Sequence, residues 1–481
     1  MSTRIPFLLL SGVAACSPPV PSTPSTTAAP VSRPDVLLVS IDSLRADHLG
    51  CYGYSKATSP NLDRLAREGV RCEQVVSTTS WTLPAHAALF TGLFDSTHGV
   101  VDNERALSEK ANTLAEALHA AGYRTAGVFG GPYLHPVFGL AQGFDRWVNC
   151  MGAALTAKQG ELVKLVLDPA ETLSLSDVTG PRTLDETVKL LRELPEDEPL
   201  FLFVHLWDVH YDYKPPEEYW RRFDPDWSGT LDARDVPHNP ALTAQMPARD
   251  LQHLVALYDG EIAFTDDILG RILAVWDEHR GRERSLVVVT SDHGEEFFEH
   301  GGKGHQRALF EESVRVPFVA RWPGRFDGGR AVRPLVRLID VAPTILAAAG
   351  VAVPAGVQGR DVGPLLRGEP MEPAPALCEL LVDGAEIRAL RREASKVIRY
   401  KDGRLVFALD LARDPGEEAP LATDSTAARL GLADLDRLVR EARERGKELG
   451  LAPRRIVLDD AVRSALKGLG YVGDDANTAP R

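Results

Sequence analysis

No C-x-x-C pair occurs among the five cysteines of this 481-residue chain. Their wide spacing excludes a zinc ribbon and a dense disulfide framework. Cys51, Cys72, Cys150 and Cys378 leave two readings: one or two disulfides formed in an oxidising compartment, or isolated buried thiols. Positive charge is also in short supply. With 54 Lys and Arg against 68 Asp and Glu, the formal net charge is −14. A bulk negative field repels nucleic acid and anionic membrane alike, so general affinity for either is excluded; a small anionic ligand responds to its local site instead. The apolar run at the N-terminus is too short to span a bilayer as a helix.

That N-terminus is nevertheless distinctive. Arg4 precedes an apolar stretch, Ile5 to Leu10, and then Ser11-Gly12-Val13-Ala14-Ala15-Cys16. A basic start, a short apolar core and small residues read as a secretory signal. Val13-Ala14-Ala15-Cys16 resembles a bacterial lipoprotein box, which would make residues 1–16 the signal peptide and Cys16 the lipidated first residue. Residues 17–33, rich in Pro, Ser and Thr, suit a disordered tether. The expectation is an exported lipoprotein, at the outer membrane or facing the periplasm, towards which Ser17 leans by the same resemblance. An ordinary signal peptide with an incidental cysteine is the alternative.

From Asp35 the pattern changes. Val36 to Ile41, Thr125 to Phe129, Leu200 to Leu206, Leu286 to Thr290 and Val316 to Ala320 are apolar runs of strand length. Helical stretches lie between them, including Pro60 to Glu68, Asn112 to Ala120 and Leu251 to Trp276. Such alternation predicts an α/β fold: one large mixed, mainly parallel sheet with helices on both faces, over residues 34–370. Residues 151–198 read as mostly helical. Past a Gly/Pro-rich boundary, strands at Ile387 to Leu390, Ser395 to Tyr400 and Leu405 to Leu409 and a charged helix from Leu435 to Arg445 predict a small C-terminal α+β subdomain over 371–474, then a tail over 475–481.

Open α/β sheets bind ligands beyond the carboxyl ends of their strands. Three runs finish there in ionisable residues: Asp42; His205 followed by Asp208 and His210; and Asp292 with His293. Any one could cap a helix. Three together suggest a divalent cation held by Asp42, Asp292 and His293, provided their strands are neighbours, because a metal lets carboxylates gather that would otherwise repel. Trp81 and Trp207 either line the site or pack at strand ends. Glu295, Glu296 and Glu299 are expected to face water.

The motifs then become specific. V-L-L-V-S-I-D-S-L-R-A-D-H-L-G-C-Y-G-Y (36–54), T-S-D-H-G-E-E-F-F-E-H-G-G-K-G-H (290–305), E-E-S-V-R-V-P-F-V-A-R-W-P-G (311–324), V-R-L-I-D-V-A-P-T-I-L (336–346) and L-D-L-A-R-D-P-G-E-E (409–418) resemble, in order, segments of the sulfatase family within the alkaline-phosphatase-like superfamily. The resemblance implies Asp42, Asp292 and His293 as metal ligands. Ser43 stands where members often carry a second Asp, leaving that coordination position weaker or open. His210 and Lys303 resemble residues touching the sulfate or its leaving oxygen, with Arg45, Asp47 and His305 as secondary substrate-binding candidates; Arg45 with Asp47 also reads as a structural ion pair.

S-W-T-L-P-A-H-A-A-L-F-T-G (80–92) aligns with the family's nucleophile motif and departs from it. Thr82 takes the place of the cysteine or serine that becomes formylglycine, and His86 that of an arginine. Threonine cannot be oxidised to that aldehyde. Its own hydroxyl, held against the metal, can attack phosphorus or sulfur, with His86 steadying an oxyanion or moving protons. The resemblance favours a metal-dependent sulfuric ester hydrolase with calcium as the ion. The alternative is a threonine-dependent phosphodiesterase, phosphonate hydrolase or phosphoryl transferase using zinc, manganese or magnesium, for which His210, His300, His305 and Asp208 could supply a second metal set. A third reading is a degenerate surface protein that binds an anion or glycan. The substrate would be a small-molecule or glycan ester.

If Cys16 carries lipid, Cys16→Ser moves the protein from the membrane to the soluble fraction on cell fractionation. Unchanged membrane association would remove the lipoprotein reading.

Overall fold

The computed structural model of the chain describes residue 1 and residues 33–151, 178–326, 328–382, 384–400 and 406–456. The expected signal peptide, nearly all of the tether, the tail and the first half of the 151–198 stretch lie outside these residues.

Runs that are apolar on both faces can only be accommodated inside a sheet covered on both sides. The strands that form it are Asp35–Ile41 (β1), Val70–Cys72 (β2), Arg124–Phe129 (β3), Arg146–Asn149 (β4), Leu200–Leu206 (β5), Ser285–Ser291 (β6), Phe318–Arg321 (β7) and Arg330–Val332 (β8). Their order is β8-β2-β7-β6-β1-β5-β3-β4. Every pair is parallel except those of β7, which runs antiparallel to β6 and β2. The three longest strands, β5, β1 and β6, stand side by side and are buried throughout. The mixed, mainly parallel α/β sheet expected from the sequence is the one found.

Alternation sends successive side chains to opposite faces. Val36 and Leu38, Phe201 and Phe203, and Leu286 and Val288 enter one core. Leu37 and Val39, Leu202 and Val204, and Val287 and Val289 enter the other. Helices cover both: Pro60–Glu68 (α1), Gly180–Glu193 (α3) and Ala248–Trp276 (α4) contribute to the second core, and Thr82–Thr91 (α2) to the first. None of the helices among the described residues is long and apolar enough to cross a membrane. The four described cysteines are free, as isolated thiols.

Towards the C-terminus, Ala376–Val382 (β9), Ala385–Arg391 (β10), Ser395–Tyr400 (β11) and Val406–Asp410 (β12) form an antiparallel sheet in sequence order, with the helix Thr426–Glu448 (α5) against it. Leu377, Leu390 and Val397 of this sheet and Leu435 and Val439 of α5 share an apolar cluster with Ala88, Phe94 and Ile339. A buried ion group reinforces that seam. Lys396, fully buried, pairs with Glu311 at 3.1 Å and Glu417 at 2.9 Å. β9 was not anticipated, because A-L-C-E-L-L-V is rich in helix formers; pairing with β10 overrides that propensity.

At the opposite edge from the site, Arg280 bonds Asp35 at 2.7 Å with both side chains fully buried, and Asp35 also accepts from the Leu200 amide at 2.8 Å. Arg280→Ala leaves that carboxylate without its buried partner, and Arg284 reaches it only at 3.4 Å. A loss of about 3–5 kcal/mol in denaturant unfolding is expected; a loss under about 1 kcal/mol would show that the pair is dispensable.

Candidate metal and nucleophile site

Strand parity decides what faces the site. Ser40 follows Val36 and Leu38 on the α2 side of β1, and the Asp42 amide bonds the Leu206 carbonyl at 2.9 Å, extending the ladder by one step. His205 follows Phe201 and Phe203 in β5 and is in register with Ser40. Asp292 follows β6. The carboxyl ends of three adjacent strands therefore deliver their ionisable groups to one place, in front of α2.

Asp42, Asp292 and His293 are all fully buried. Among the described residues they are the one group of at least three such side chains whose ligating atoms all lie within 4.8 Å of each other. His293 Nε2 stands 3.6 Å from Asp42 Oδ1 and 3.5 Å from Asp292 Oδ2. Its Nδ1 donates to the Gly294 carbonyl at 2.9 Å, which fixes the tautomer and leaves Nε2 as the ligating atom. Burial works against the imidazolium, but Asp292 and Asp42 raise the His293 pKa above its ordinary value. Asp292 Oδ2 is buried and has no hydrogen-bond partner among the described residues. Two buried carboxylates with an orphaned oxygen and a correctly oriented imidazole fit a divalent cation, whose charge removes both the repulsion and the unmet lone pair.

Ser43 does not substitute for a missing ligand. It adopts a left-handed backbone, φ 54°, that turns its amide onto Asp292 Oδ1 at 3.2 Å, while its hydroxyl donates to Asp42 Oδ1 at 2.9 Å. One residue thus fixes both carboxylates.

Thr82 opens α2, after Trp81 in extended conformation, so its hydroxyl stands where backbone amides are unpaired and the helix dipole is positive. Thr82 Oγ1 is 3.4 Å from both Asp42 Oδ2 and His293 Nε2. His86, one turn on, is fully buried: Nδ1 donates to the Thr82 carbonyl at 2.9 Å and lies 3.6 Å from Asp292 Oδ2, and Nε2 accepts from the Ser40 hydroxyl at 3.1 Å. Burial, with His205 beside it, holds the His86 pKa down to about 3. Its ring stands behind Thr82.

His210 and His305 adjoin the cluster, with ring centres 4.8 Å apart, and His305 is 4.5 Å from His293. Burial is the main cause that lowers His210 to about 3. His305 is paired through Nδ1 with Glu295 at 3.1 Å, and its buried Nε2 has no hydrogen-bond partner among the described residues. Glu295 and Glu296 were expected to face water; both are buried, because the loop after His293 folds back under Tyr213 and the 311–314 turn. Burial first, then the Asp42 charge, pushes Glu295 up to about 8.

Two expected substrate contacts are turned elsewhere. Lys303 donates to the Asn239 and Leu242 carbonyls at 2.6 and 2.8 Å, pinning that loop. Arg45 makes a bidentate pair with Asp47 at 2.7 and 2.9 Å and donates to the Glu295 carbonyl at 2.9 Å. Of the four residues considered for a second metal, His210 and His305 lie together and the other two are engaged elsewhere. His300 pairs with Glu312 at 2.6 Å and stacks on Phe310, while Asp208 accepts from Thr179 at 2.8 and 3.0 Å. Trp81 packs edge-on to Tyr133, and Trp207 is buried at a strand end with its ring 5.2 Å from that of His210.

The Sulfatase family model matches residues 34–351, and a model for the C-terminal part of N-sulphoglucosamine sulphohydrolase matches 299–444. The chain is 26% identical to an ulvan-active sulfatase of Formosa agariphila, over 80% of this chain and 76% of that one. It is 28% identical to the uncharacterized sulfatase YidJ of Escherichia coli, over 69% and 71%. Among solved structures, a protein in complex with its substrate D-glucosamine-2-N,6-O-disulfate aligns with a TM-score of 0.70 at 21% identity, over 86% of this chain and 98% of that one. The phosphonate monoester hydrolase of Agrobacterium radiobacter aligns with a TM-score of 0.70 at 24% identity, over 86% and 96%. These likenesses establish the shared fold.

With a single ligand cluster among the described residues, the purified protein should carry one equivalent of divalent ion by elemental analysis, and chelation should lower its thermal midpoint. Two equivalents would mean that a second site exists.

Proposed function

The chain belongs to the sulfatase family and is a hydrolase of the sulfate- or phosphate-ester type; within that class we propose that it is a threonine-dependent hydrolase of a phosphorus ester, a phosphodiester or a phosphonate monoester. The observation that carries this reading is Thr82, whose hydroxyl opens α2 at 3.4 Å from two members of the ligand cluster. The phosphonate monoester hydrolase with the same fold supports it in one respect: the architecture accommodates a phosphorus ester.

Asp42, Asp292 and His293 would hold the cation, and bound there it supplies the positive charge that eases deprotonation of a nearby hydroxyl and offsets the charge of the ester. Thr82 Oγ1 attacks phosphorus in line and the bond to the leaving oxygen breaks, giving a covalent ester on Thr82. The first amides of α2 stabilise the non-bridging oxygens. His210, a neutral imidazole whose Nδ1 is committed to the Tyr211 carbonyl, takes the Thr82 proton on Nε2 and returns it to the departing oxygen, with His305 beside it. Water then attacks phosphorus, the Oγ–P bond breaks, and Thr82 is restored. The same sequence on a sulfate ester must release sulfate by attack at sulfur, because threonine lacks the route by which an aldehyde hydrate expels it. His86 stays behind the nucleophile as a neutral imidazole that fixes the Thr82 carbonyl.

A second reading, hydrolysis of a sulfate ester on a glycan, is favoured by the relatives named as sulfatases, the ulvan-active enzyme among them. Calcium suits that reading, and manganese, zinc or magnesium the first.

Aryl sulfate, phosphate monoester, phosphodiester and phosphonate monoester, each assayed with calcium, magnesium, manganese and zinc, separate the readings. Faster turnover of diester or phosphonate is expected. Thr82→Ala should lose at least about a thousandfold in kcat/KM, with a covalent adduct on Thr82 trapped only in the unsubstituted protein. Preference for aryl sulfate would establish the second reading, and full activity of Thr82→Ala would sink both.

A further inference from the structure

Behind the ligand cluster lies an imidazole that neither the metal nor the proposed chemistry uses. His205 is fully buried in the last turn of β5's pleat, where parity with Phe201 and Phe203 leaves its ring no direction but towards α2. The ring lies parallel to Phe203, within 9°, and meets the edge of His86 at 4.7 Å. Its Nε2 is 3.3 Å from Asp42 Oδ2. A carboxylate only accepts, so Nε2 carries the proton and donates.

Asp42 Oδ1 accepts from the Ser43 hydroxyl at 2.9 Å, and Oδ2 accepts from His205 at 3.3 Å. Oδ2 also accepts from the Thr82 hydroxyl, at 3.4 Å. Without His205, that hydroxyl becomes the donor that must satisfy a buried carboxylate oxygen, and it would be drawn away from the ester.

Resting on the reading of a metal-dependent hydrolase, we propose that His205 is a positioning residue: its Nε2–H holds Asp42 aimed at the cation and spares the Thr82 hydroxyl from being that oxygen's sole donor. The role belongs to the N–H and not to the ring, which sets the test. His205→Phe keeps an aromatic ring between Phe203 and His86 but has no donor. His205→Gln gives up the ring and places an amide donor near the same point.

Calcium and manganese are titrated calorimetrically into chelator-stripped unsubstituted protein and both variants, and the tighter-binding ion is used for comparison. His205→Phe should bind it about 10- to 100-fold more weakly, as loss of such a partner does elsewhere, and His205→Gln within about threefold of the unsubstituted protein. In the loaded enzyme His205→Phe should lower kcat with little change in KM. Metal-free thermal midpoints report whether each variant is folded. The proposal fails if His205→Phe retains full affinity and kcat, or if His205→Gln is as impaired as His205→Phe. Absence of binding by the unsubstituted protein is a separate result that overturns the metal site itself.

Discussion

Two carboxylates brought together inside the protein, Asp42 and Asp292, set the terms for everything around them. Their proximity is unfavourable unless positive charge enters, and the surroundings are arranged for that entry. Ser43 adopts a left-handed backbone to bond both. His293 gives its Nδ1 proton to a carbonyl so that Nε2 can face them. α2 begins at that point, contributing the amides and dipole of its first turn. The sheet supplies the precision, since β5, β1 and β6 are neighbours in register and their ends cannot shift independently.

Much of this was legible in the sequence, for a physical reason. Doubly covered parallel strands read as unbroken apolar runs, and a run ending in an acidic residue marks a carboxyl end where ligands gather. Asp42, Asp292, His293 and Thr82 followed from that logic and from the motifs. What escaped was whatever depends on tertiary direction. Nothing in one dimension tells that Lys303 reaches back to the carbonyls of Asn239 and Leu242, or that Glu295 and Glu296 turn inward. Ser40 lies within the 36–54 motif and His205 among the ionisable strand-end residues, but only the pleat reveals that they share a side. β7 looked like the other strands because an apolar run has no polarity, and its antiparallel pairing is decided by the connection that precedes it.

The C-terminal sheet bears on the site indirectly. Its apolar cluster includes Ala88 from α2 and Phe94 just after it, and the buried Lys396 ties β11 to Glu311, which lies in the segment after the second ligand pair. The small sheet therefore packs against α2 and, through Glu311, against the segment that follows His305.

Thr82 at the head of α2 also changes how the protein comes into being. A formylglycine enzyme needs an outside catalyst to rewrite one side chain before the chain closes around it. Here the Thr82 hydroxyl, the nucleophile of the proposed reaction, is encoded directly and is 3% exposed in the folded chain. On the proposed reading the nucleophile needs no covalent maturation, and the cation is the one component added to the folded chain.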